Sequence, residues 1–135
     1  MLFPDLQLDD FLLRLSEGLG AEKYVEKVWG TEYWLTNTDK FCAKLLRLKG
    51  GFRCSLHYHP KKTEDFIVLD GSVRLEQRDV RGIPFDEYLY PGDKRHIEPK
   101  TPHRFSSFLP AWILEISTHH EDSDVVRITD SGPIE

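Results

Sequence analysis

The sequence predicts an all-β domain preceded by one N-terminal amphipathic helix. From Trp29 onwards, short segments rich in aromatic and β-branched residues recur at close spacing, separated by glycine, proline, asparagine and aspartate. About eight to ten such strands favour a closed β-architecture, that is, a sandwich, a jelly roll or a small barrel. A chain of 135 residues, 39% of them hydrophobic, suits a single domain with its own core.

Residues 1–28 are predicted to form a helical extension. Apolar residues recur there at helical spacing, at Leu8, Phe11, Leu12, Leu15 and Leu19. Asp9 and Asp10 are N-cap candidates, and Gly18 and Gly20 are candidate stops. We expect a helix of about three turns on the outside of the domain or at a subunit contact. Its polar face contains more acid than base, which argues against a membrane surface.

The barrel itself is expected over residues 29–130. The predicted strands are residues 31–36, 41–48, 53–59, 65–69, 72–78, 94–97, 103–107 and 111–118. Residues 79–85 contain Gly82 and Pro84 and are therefore predicted to form a longer loop. After residue 118 we expect a polar loop and a short closing strand, and residues 131–135 are predicted to fray.

Charge and composition exclude several classes of function. The formal net charge is −5, which gives no basis for a nucleic-acid partner. No apolar run is long enough to span a bilayer, and the first ten residues contain acids where a secretory signal has basic residues. We therefore expect a cytoplasmic protein with no membrane partner. Cys42 and Cys54 form no Cys-x-x-Cys pair, so free thiols are expected, although the sequence leaves a disulfide open.

A metal site is predicted around His57 and His59. Residues i and i+2 of a strand point to the same face, so both imidazoles can aim at one point. A turn after Pro60 would return Glu64 to the same place on the next strand. Two imidazoles and a carboxylate are suitable ligands for a divalent transition metal, and a fourth ligand must come from elsewhere in the chain.

Two segments resemble the two sequence motifs of the cupins. Residues 51–71 match Gly-x5-His-x-His-x3,4-Glu-x6-Gly at every fixed position. Residues 92–107 match the second motif, Gly-x5-Pro-x-Gly-x2-His-x3-Asn, at Gly92 and His103. The departures from the second motif are Glu98, Lys100 and Ser107. The resemblance implies a double-stranded β-helix, the cupin jelly-roll barrel, with a metal inside its mouth. The ligands it implies are His57, His59, Glu64 and His103.

Within the cupins, residues 27–127 resemble the cupin domain of the type II mannose-6-phosphate isomerases. The likeness lies in Lys-Val-Trp-Gly at 27–30, Gly-Phe-Arg-Cys-Ser-Leu at 51–56, Pro-His-Arg-Phe at 102–105 and Glu-Asp-Ser-Asp-Val-Val-Arg at 121–127. That group usually has Gln where this chain has His57. The D-lyxose isomerases have three histidines and a glutamate on manganese. The resemblance implies one divalent ion, manganese ahead of zinc, iron, nickel or cobalt, and a sugar or sugar phosphate as small-molecule partner.

Further candidate site residues follow from strand alternation. If the strand stays regular, Arg53 and Ser55 face inward with the two histidines, and Lys44 is a further lining candidate, so these three are candidate substrate-binding residues. Arg53 fits a rim position equally well. Lys62, in the turn between the ligands, and Glu115, on the last strand, are the candidate catalytic residues. For Lys62 the turn position favours a solvated side chain over one that reaches the cavity, and alternation alone does not determine which face Glu115 occupies.

The leading hypothesis is an aldose–ketose isomerase that acts through a metal-stabilised enediolate. The same ligands could instead serve a dioxygenase containing iron or nickel. A third hypothesis is a non-catalytic module that binds a small carbohydrate. The N-terminal helix and exposed aromatic residues make a homodimer the expected assembly.

Overall fold

The structure, a computed structural model, describes residues 7–134. Within that range the chain forms one helix, α1 (Leu8–Arg14), which continues as a π-helical segment over Leu15–Gly20. It also forms thirteen strands: β1 (Lys23–Lys27), β2 (Gly30–Asn37), β3 (Cys42–Leu48), β4 (Phe52–Arg53), β5 (Leu56–Tyr58), β6 (Glu64–Asp70), β7 (Val73–Arg78), β8 (Pro84–Leu89), β9 (Lys94–Ile97), β10 (His103–Ser107), β11 (Ala111–Ser117), β12 (Val126–Thr129) and β13 (Gly132–Pro133). The predicted all-β class with one N-terminal helix is confirmed.

The strands form two antiparallel sheets. The first sheet has the order β1-β2-β3-β11-β6-β9. The second has the order β12-β5-β10-β4-β13, with β7 paired to β10 and β8 paired to β7. The pairs β1–β2, β2–β3 and β7–β8 are consecutive in the chain, whereas pairs such as β3–β11 and β5–β10 bring together widely separated segments. His103 of β10, for example, is opposite His57 of β5.

The main hydrophobic core contains residues from both sheets. Alternate residues of β6 are buried, namely Glu64, Phe66 and Val68, as expected for a strand with one face on the core. Phe66 packs with Phe105 of β10, their ring centroids 4.6 Å apart. Glu64 is the first residue of this core-facing row, so its carboxylate is buried inside the protein.

The helix covers a second apolar cluster. Leu12 packs there with Tyr33, Leu45 and Trp112. Asp9 accepts a hydrogen bond from the Trp112 indole at 2.7 Å, which links the helix to the first sheet. The expected packing on the outside of the barrel is thus observed. The N-cap is Gln7, without a side-chain cap bond, and the predicted caps Asp9 and Asp10 lie in the first turn instead.

Three segments differ from the sequence prediction. The predicted extension over residues 1–28 is helical only as far as Gly20, because β1 follows and pairs with β2; residues 1–6 lie outside the described range. The predicted loop over residues 79–85 is a tight turn between β7 and β8, closed by Asp79 Oδ1, which accepts two backbone N–H groups. The predicted frayed segment 131–135 forms β13, and the Ile134 amide also donates to the Gly51 carbonyl; residue 135 is not described.

Two further expectations can be compared with the structure. Cys42 and Cys54 are free thiols. Burial raises the pKa of Cys54 to about 12, so this thiol stays protonated and unreactive. Among the described residues, no helix has the length and apolar character that crossing a bilayer would need.

Candidate metal centre

Three histidines converge where β5 and β10 pair. His57 lies on β5, His59 just beyond that strand, and His103 at the start of β10. One ring nitrogen from each lies within 4.8 Å of the others. His59 and His103 are buried, and His57 is half-buried. The i, i+2 spacing of the first pair and the β5–β10 register together position these rings, so the sequence prediction of three convergent imidazoles agrees with the structure.

Backbone carbonyls orient all three rings in the same sense. The Nδ1 atoms lie 2.9 Å from the Ser55 carbonyl for His57, 2.6 Å from the Asp124 carbonyl for His59, and 2.9 Å from the Thr101 carbonyl for His103. A carbonyl oxygen can only accept, so each Nδ1 has the proton and donates it. Unless the ring is protonated at both nitrogens, Nε2 keeps its lone pair. Metal-binding histidines are held in this way by the groups around them.

Glu64 completes the group. Its side chain is 2% exposed, with Oε1 3.2 Å from Nε2 of His59 and Oε2 3.1 Å from Nε2 of His103. Oε2 has no hydrogen-bond partner although it is buried. A nitrogen lone pair this close to a carboxylate oxygen is repulsive unless a proton or a cation lies between them. Ligands about 2.0–2.2 Å from a shared zinc ion lie about 3 Å apart, so the residues present fit a divalent metal.

The charges of the four residues fit the same interpretation. Burial, followed by the neighbouring His103 and His59, lowers the pKa of His57 to about 3, so this imidazole is neutral. Burial favours the neutral acid of Glu64, but the neighbouring His103 and His59, followed by the ammonium of Lys62, outweigh burial and hold the pKa of Glu64 well below its usual range. Burial likewise disfavours the imidazolium of His103, yet Glu64 prevails and raises the pKa of His103. The site therefore supplies a carboxylate and neutral or exchangeable imidazoles.

A second polar group adjoins the ligands. The ammonium of Lys62 lies 2.9 Å from Oε1 of Glu64, 3.3 Å from Oε2 of Glu115 and 3.0 Å from Nδ1 of His120. Burial opposes the charge of Lys62, but Glu115 and Glu64 outweigh it and raise the pKa of this lysine. Lys62 is therefore a cation between two carboxylates. A solvated side chain was expected for Lys62 in this turn, but the structure buries it inside the protein.

The sheet register determines the orientation of Glu115. Glu115 of β11 pairs with Lys44 of β3 on one side and with Phe66 of β6 on the other. Residues opposite each other share a face, and Phe66 faces the core, so Glu115 faces inward as well. Lys44 does the same and is 2% exposed. Alternation along one strand could not supply this phase, because the phase comes from the neighbouring strands.

All these residues line one cavity of about 430 Å³. Eight of the nine predicted site residues contribute to its wall: His57, His59, Glu64, His103, Ser55, Lys44, Lys62 and Glu115. The hydroxyl of Ser55 also lies 2.9 Å from Nδ1 of His57. A cavity of this size falls in the usual range for small-molecule sites.

Arg53 is the ninth predicted residue, and it does not line the cavity, although it lies within the described range. The strand expected over residues 53–59 is interrupted between β4 and β5. Cys54 packs against the core, and its sulfur accepts the Phe105 amide, so alternation changes phase between residues 54 and 55. Arg53 pairs with Ser106 instead. The inward orientation expected for a regular strand is therefore not found.

His120 lines the cavity but was not among the predicted site residues. Asn37 binds both the amide and the carbonyl of His120, at 3.0 and 3.1 Å, and so holds the segment after β11 against β2. His120 lines the cavity with its edge on Trp34, and its Nε2 lies 3.0 Å from Asp122. Burial, then Lys44 and Lys62, lowers its pKa to about 4, so it is neutral. In the sequence, His120 is only a polar residue of a predicted loop, and its contact with the distant Asn37 leaves no pattern that could be recognised there.

The second motif departs from the cupin pattern at Lys100, and the structure shows the consequence. Lys100 has φ 67°, the left-handed conformation that favours glycine, and the cupin motif has Gly at this position. Its amide donates to the carbonyl of His59 at 2.8 Å, so the turn supports a ligand. Lys100 therefore adopts at this position the backbone conformation that the glycine of the motif would favour.

Comparison with solved structures identifies similar folds. Oxalate decarboxylase from Lactobacillus farciminis, in a formate complex, covers 78% of this chain with a TM-score of 0.69 and 19% identity. Bacillus subtilis oxalate decarboxylase at pH 4.6 covers 84% with a TM-score of 0.68 and 20% identity. CapF with the inhibitor 3-isopropenyl-tropolone covers 77% with a TM-score of 0.68 and 16% identity.

The matches span only 33, 34 and 33% of those chains, respectively. The sequence matches no protein-family model and no curated protein. At these identities the likeness concerns the fold alone. The solved structures are jelly-roll proteins with the fold that the two sequence motifs imply, and this part of the prediction is confirmed.

Proposed function

We propose, on the premise that the chain has the cupin fold with a histidine-rich metal centre in its cavity, that it is an aldose–ketose isomerase for a sugar or sugar phosphate. The observation that supports this best is the pairing of two groups in one cavity. One group is the three-histidine, one-glutamate set, and the other is the Lys62–Glu115 ion pair, in which Lys62 also contacts Glu64. Isomerisation needs a Lewis acid and a proton carrier side by side.

His57, His59, Glu64 and His103 would hold the ion, manganese in the first place, with zinc, iron, nickel and cobalt as alternatives. A divalent ion bound there would supply a Lewis acid for the carbonyl and adjacent hydroxyl oxygens of an open-chain sugar. Glu64 faces two of the imidazoles and is therefore poorly placed to act as the base.

Glu115 is the proposed base. It is buried, faces the cavity, and is held through Oε2 by Lys62 at 3.3 Å and by the Ser117 hydroxyl at 3.4 Å. Its carboxylate would take the proton from C2 of the aldose and return it to C1, while one hydroxyl proton moves between the two oxygens. The sugar is rearranged without any oxidant or reductant. Lys62 stays an ammonium between two carboxylates and would stabilise negative charge on the substrate oxygens.

The test is isomerisation in deuterium oxide. Manganese-loaded protein is incubated with a panel of aldoses and their phosphates, and NMR follows ketose formation and deuterium at the exchanged carbon. We expect Glu115→Gln to lower turnover about a hundredfold or more at unchanged metal content. His103→Ala should lose both metal and turnover. Glu26→Gln, an exposed acid outside this cavity, is the matched control and should behave as wild type.

Two outcomes would replace the proposal. Oxygen consumption by the iron- or nickel-loaded protein with an enol or diketone substrate would favour the dioxygenase alternative. Sugar binding without turnover or deuterium exchange across the whole panel would favour a non-catalytic carbohydrate-binding protein. Elemental analysis of the purified protein beside His57→Ala shows which metal the ligands retain.

A further inference from the structure

A buried lysine in the cavity wall lacks a strong acceptor. Lys44 is 2% exposed, and its ammonium lies 3.2 Å from Nδ1 of His120, 4.1 Å from the centre of the Trp34 ring and 3.8 Å from Oε1 of Glu32. The last distance exceeds that of a hydrogen bond, and the same oxygen already accepts the Trp34 indole N–H at 3.1 Å.

The histidine contact cannot satisfy Lys44 either. Nδ1 of a neutral imidazole has one lone pair, and the ammonium of Lys62 claims the same atom at 3.0 Å. Lys62 has two carboxylates in addition, whereas Lys44 has no carboxylate or carbonyl at hydrogen-bond distance among the described residues. A buried ammonium with too few acceptors costs free energy. Because Lys44 lines the cavity, an anion bound there could accept its remaining N–H groups.

A second lysine adds positive charge to the same part of the cavity wall. The ammonium of Lys23 lies 3.8 Å from the centre of the same Trp34 ring, and Lys23 also lines the cavity. Among the described residues, the cavity wall contains five basic side chains, at Lys23, Lys27, Lys44, Lys62 and Arg127, against four acids, at Glu32, Glu64, Glu115 and Asp122. A bound divalent ion would add two positive charges. In a chain of net charge −5, the cavity is thus the place to which a small anion is attracted.

We propose that Lys44, together with Lys23, which contacts the same Trp34 ring and lines the same cavity, forms an anion subsite for a carboxylate or phosphate group of the substrate. The inference rests on the proposed function in so far as the cavity is the substrate site, and it narrows the substrate class to sugars with an anionic group. Lys44 would donate to that group while the metal-binding oxygens of the same molecule reach the histidines. Neutral sugars would leave the ammonium of Lys44 unsatisfied.

Calorimetry with non-isomerisable ligands tests the subsite. Manganese-loaded protein is titrated with glucitol 6-phosphate, gluconate and neutral glucitol, which separate a phosphate from a carboxylate preference. We expect at least one anionic ligand to bind about tenfold to a hundredfold more tightly than glucitol, with an advantage that shrinks as salt is added. Lys44→Met should remove the advantage, and Lys23→Gln should reduce it.

Lys49→Met is the matched control, because Lys49 is exposed and lies outside the cavity, and it should keep the full advantage. Metal content and thermal unfolding establish that each variant is folded, and Lys44→Arg, which keeps the charge, should retain part of the preference if Lys44→Met does not fold. Equal binding of all three ligands by the wild type, or an unchanged preference in both Lys44→Met and Lys23→Gln, would overturn the subsite. Since none of these ligands can isomerise, anion preference without turnover on aldoses would contradict the proposed reaction and leave the subsite standing.

Discussion

Replacing Asp124 with alanine should damage both the fold and the metal centre. Its carboxylate accepts the amides of Lys61 and Lys62, at 2.9 and 3.0 Å, and its own carbonyl lies 2.6 Å from Nδ1 of His59. Asp124 is 6% exposed, so in the alanine variant bulk water would not readily replace its carboxylate as hydrogen-bond acceptor. Asp124 thus holds the turn that contains Lys62 and orients His59, a candidate metal ligand.

The magnitude follows from the bonds that are lost. Hydrogen bonds to a charged acceptor contribute about 1.5–3 kcal/mol each, and the Lys61 amide is only partly buried, so Asp124→Ala should lower the free energy of unfolding by about 2–4 kcal/mol. The backbone carbonyl survives the substitution but loses its fixed position. Because losing a group that orients a metal-binding side chain typically costs about 10- to 100-fold in metal affinity, manganese binding should weaken by a similar factor.

Urea denaturation of the metal-free protein measures the first effect, and calorimetric titration with manganese measures the second. Glu121→Ala is the matched control, because the Glu121 carboxylate is exposed and lies only 3.7 Å from Lys61 and 3.9 Å from His119 at the surface, so its loss should change stability by less than about 0.5 kcal/mol. An Asp124→Ala variant as stable as Glu121→Ala, with unchanged manganese affinity, would refute the assignment of Asp124 as the residue that positions His59 and the turn.

Three further predictions concern single side chains. Lys100→Gly should raise the free energy of unfolding by about 1 kcal/mol in urea denaturation, because glycine adopts the left-handed backbone at φ 67° without strain. His96, between Asp65 at 2.6 Å and Glu98 at 2.8 Å, has a pKa raised first by Asp65 and then by Glu98. Its pKa, followed by NMR, should exceed 6.5, so its contribution to stability is complete below that value and is lost as the pH rises through the folded-state pKa. Glu64→Gln should abolish tight manganese binding in equilibrium dialysis while leaving the three imidazoles in place; unchanged affinity would remove Glu64 from the ligand set.

The convergence of the candidate metal ligands could be predicted from sequence because their geometry is largely local. Two histidines two residues apart on a strand share a face wherever that strand lies, and a short turn returns Glu64 to them. His103 followed from motif spacing, and the β5–β10 register shows why that spacing works. The same local logic failed for Arg53, because Cys54 packs into the core and shifts the alternation, and packing against Phe105 is a tertiary contact.

The residues that sequence reasoning missed are held by long-range contacts. His120 reaches the cavity because Asn37, 83 positions earlier, binds its backbone. Strand β8 was missed because the turn signals at Gly82 and Pro84 are the same for a long loop and for a tight hairpin. What separates them is the pairing of β8 with β7, which depends on β7 being anchored to β10. Neither contact leaves a periodic pattern in the chain.

The way the site is assembled also determines how metal binding and folding are related. The ligands and their supports come from β3, β5, β6, β10 and β11 and from the segment around Asp124, and no single segment holds more than three of the four ligands. An unfolded chain therefore offers no preformed site, so an ion that binds the native protein stabilises it by mass action. Lys62 lies between Glu64 and Glu115, with its ammonium 2.9 and 3.3 Å from their carboxylate oxygens. An ion held by Glu64 would leave the contact between Lys62 and Glu115 intact, which would keep the proposed base in place.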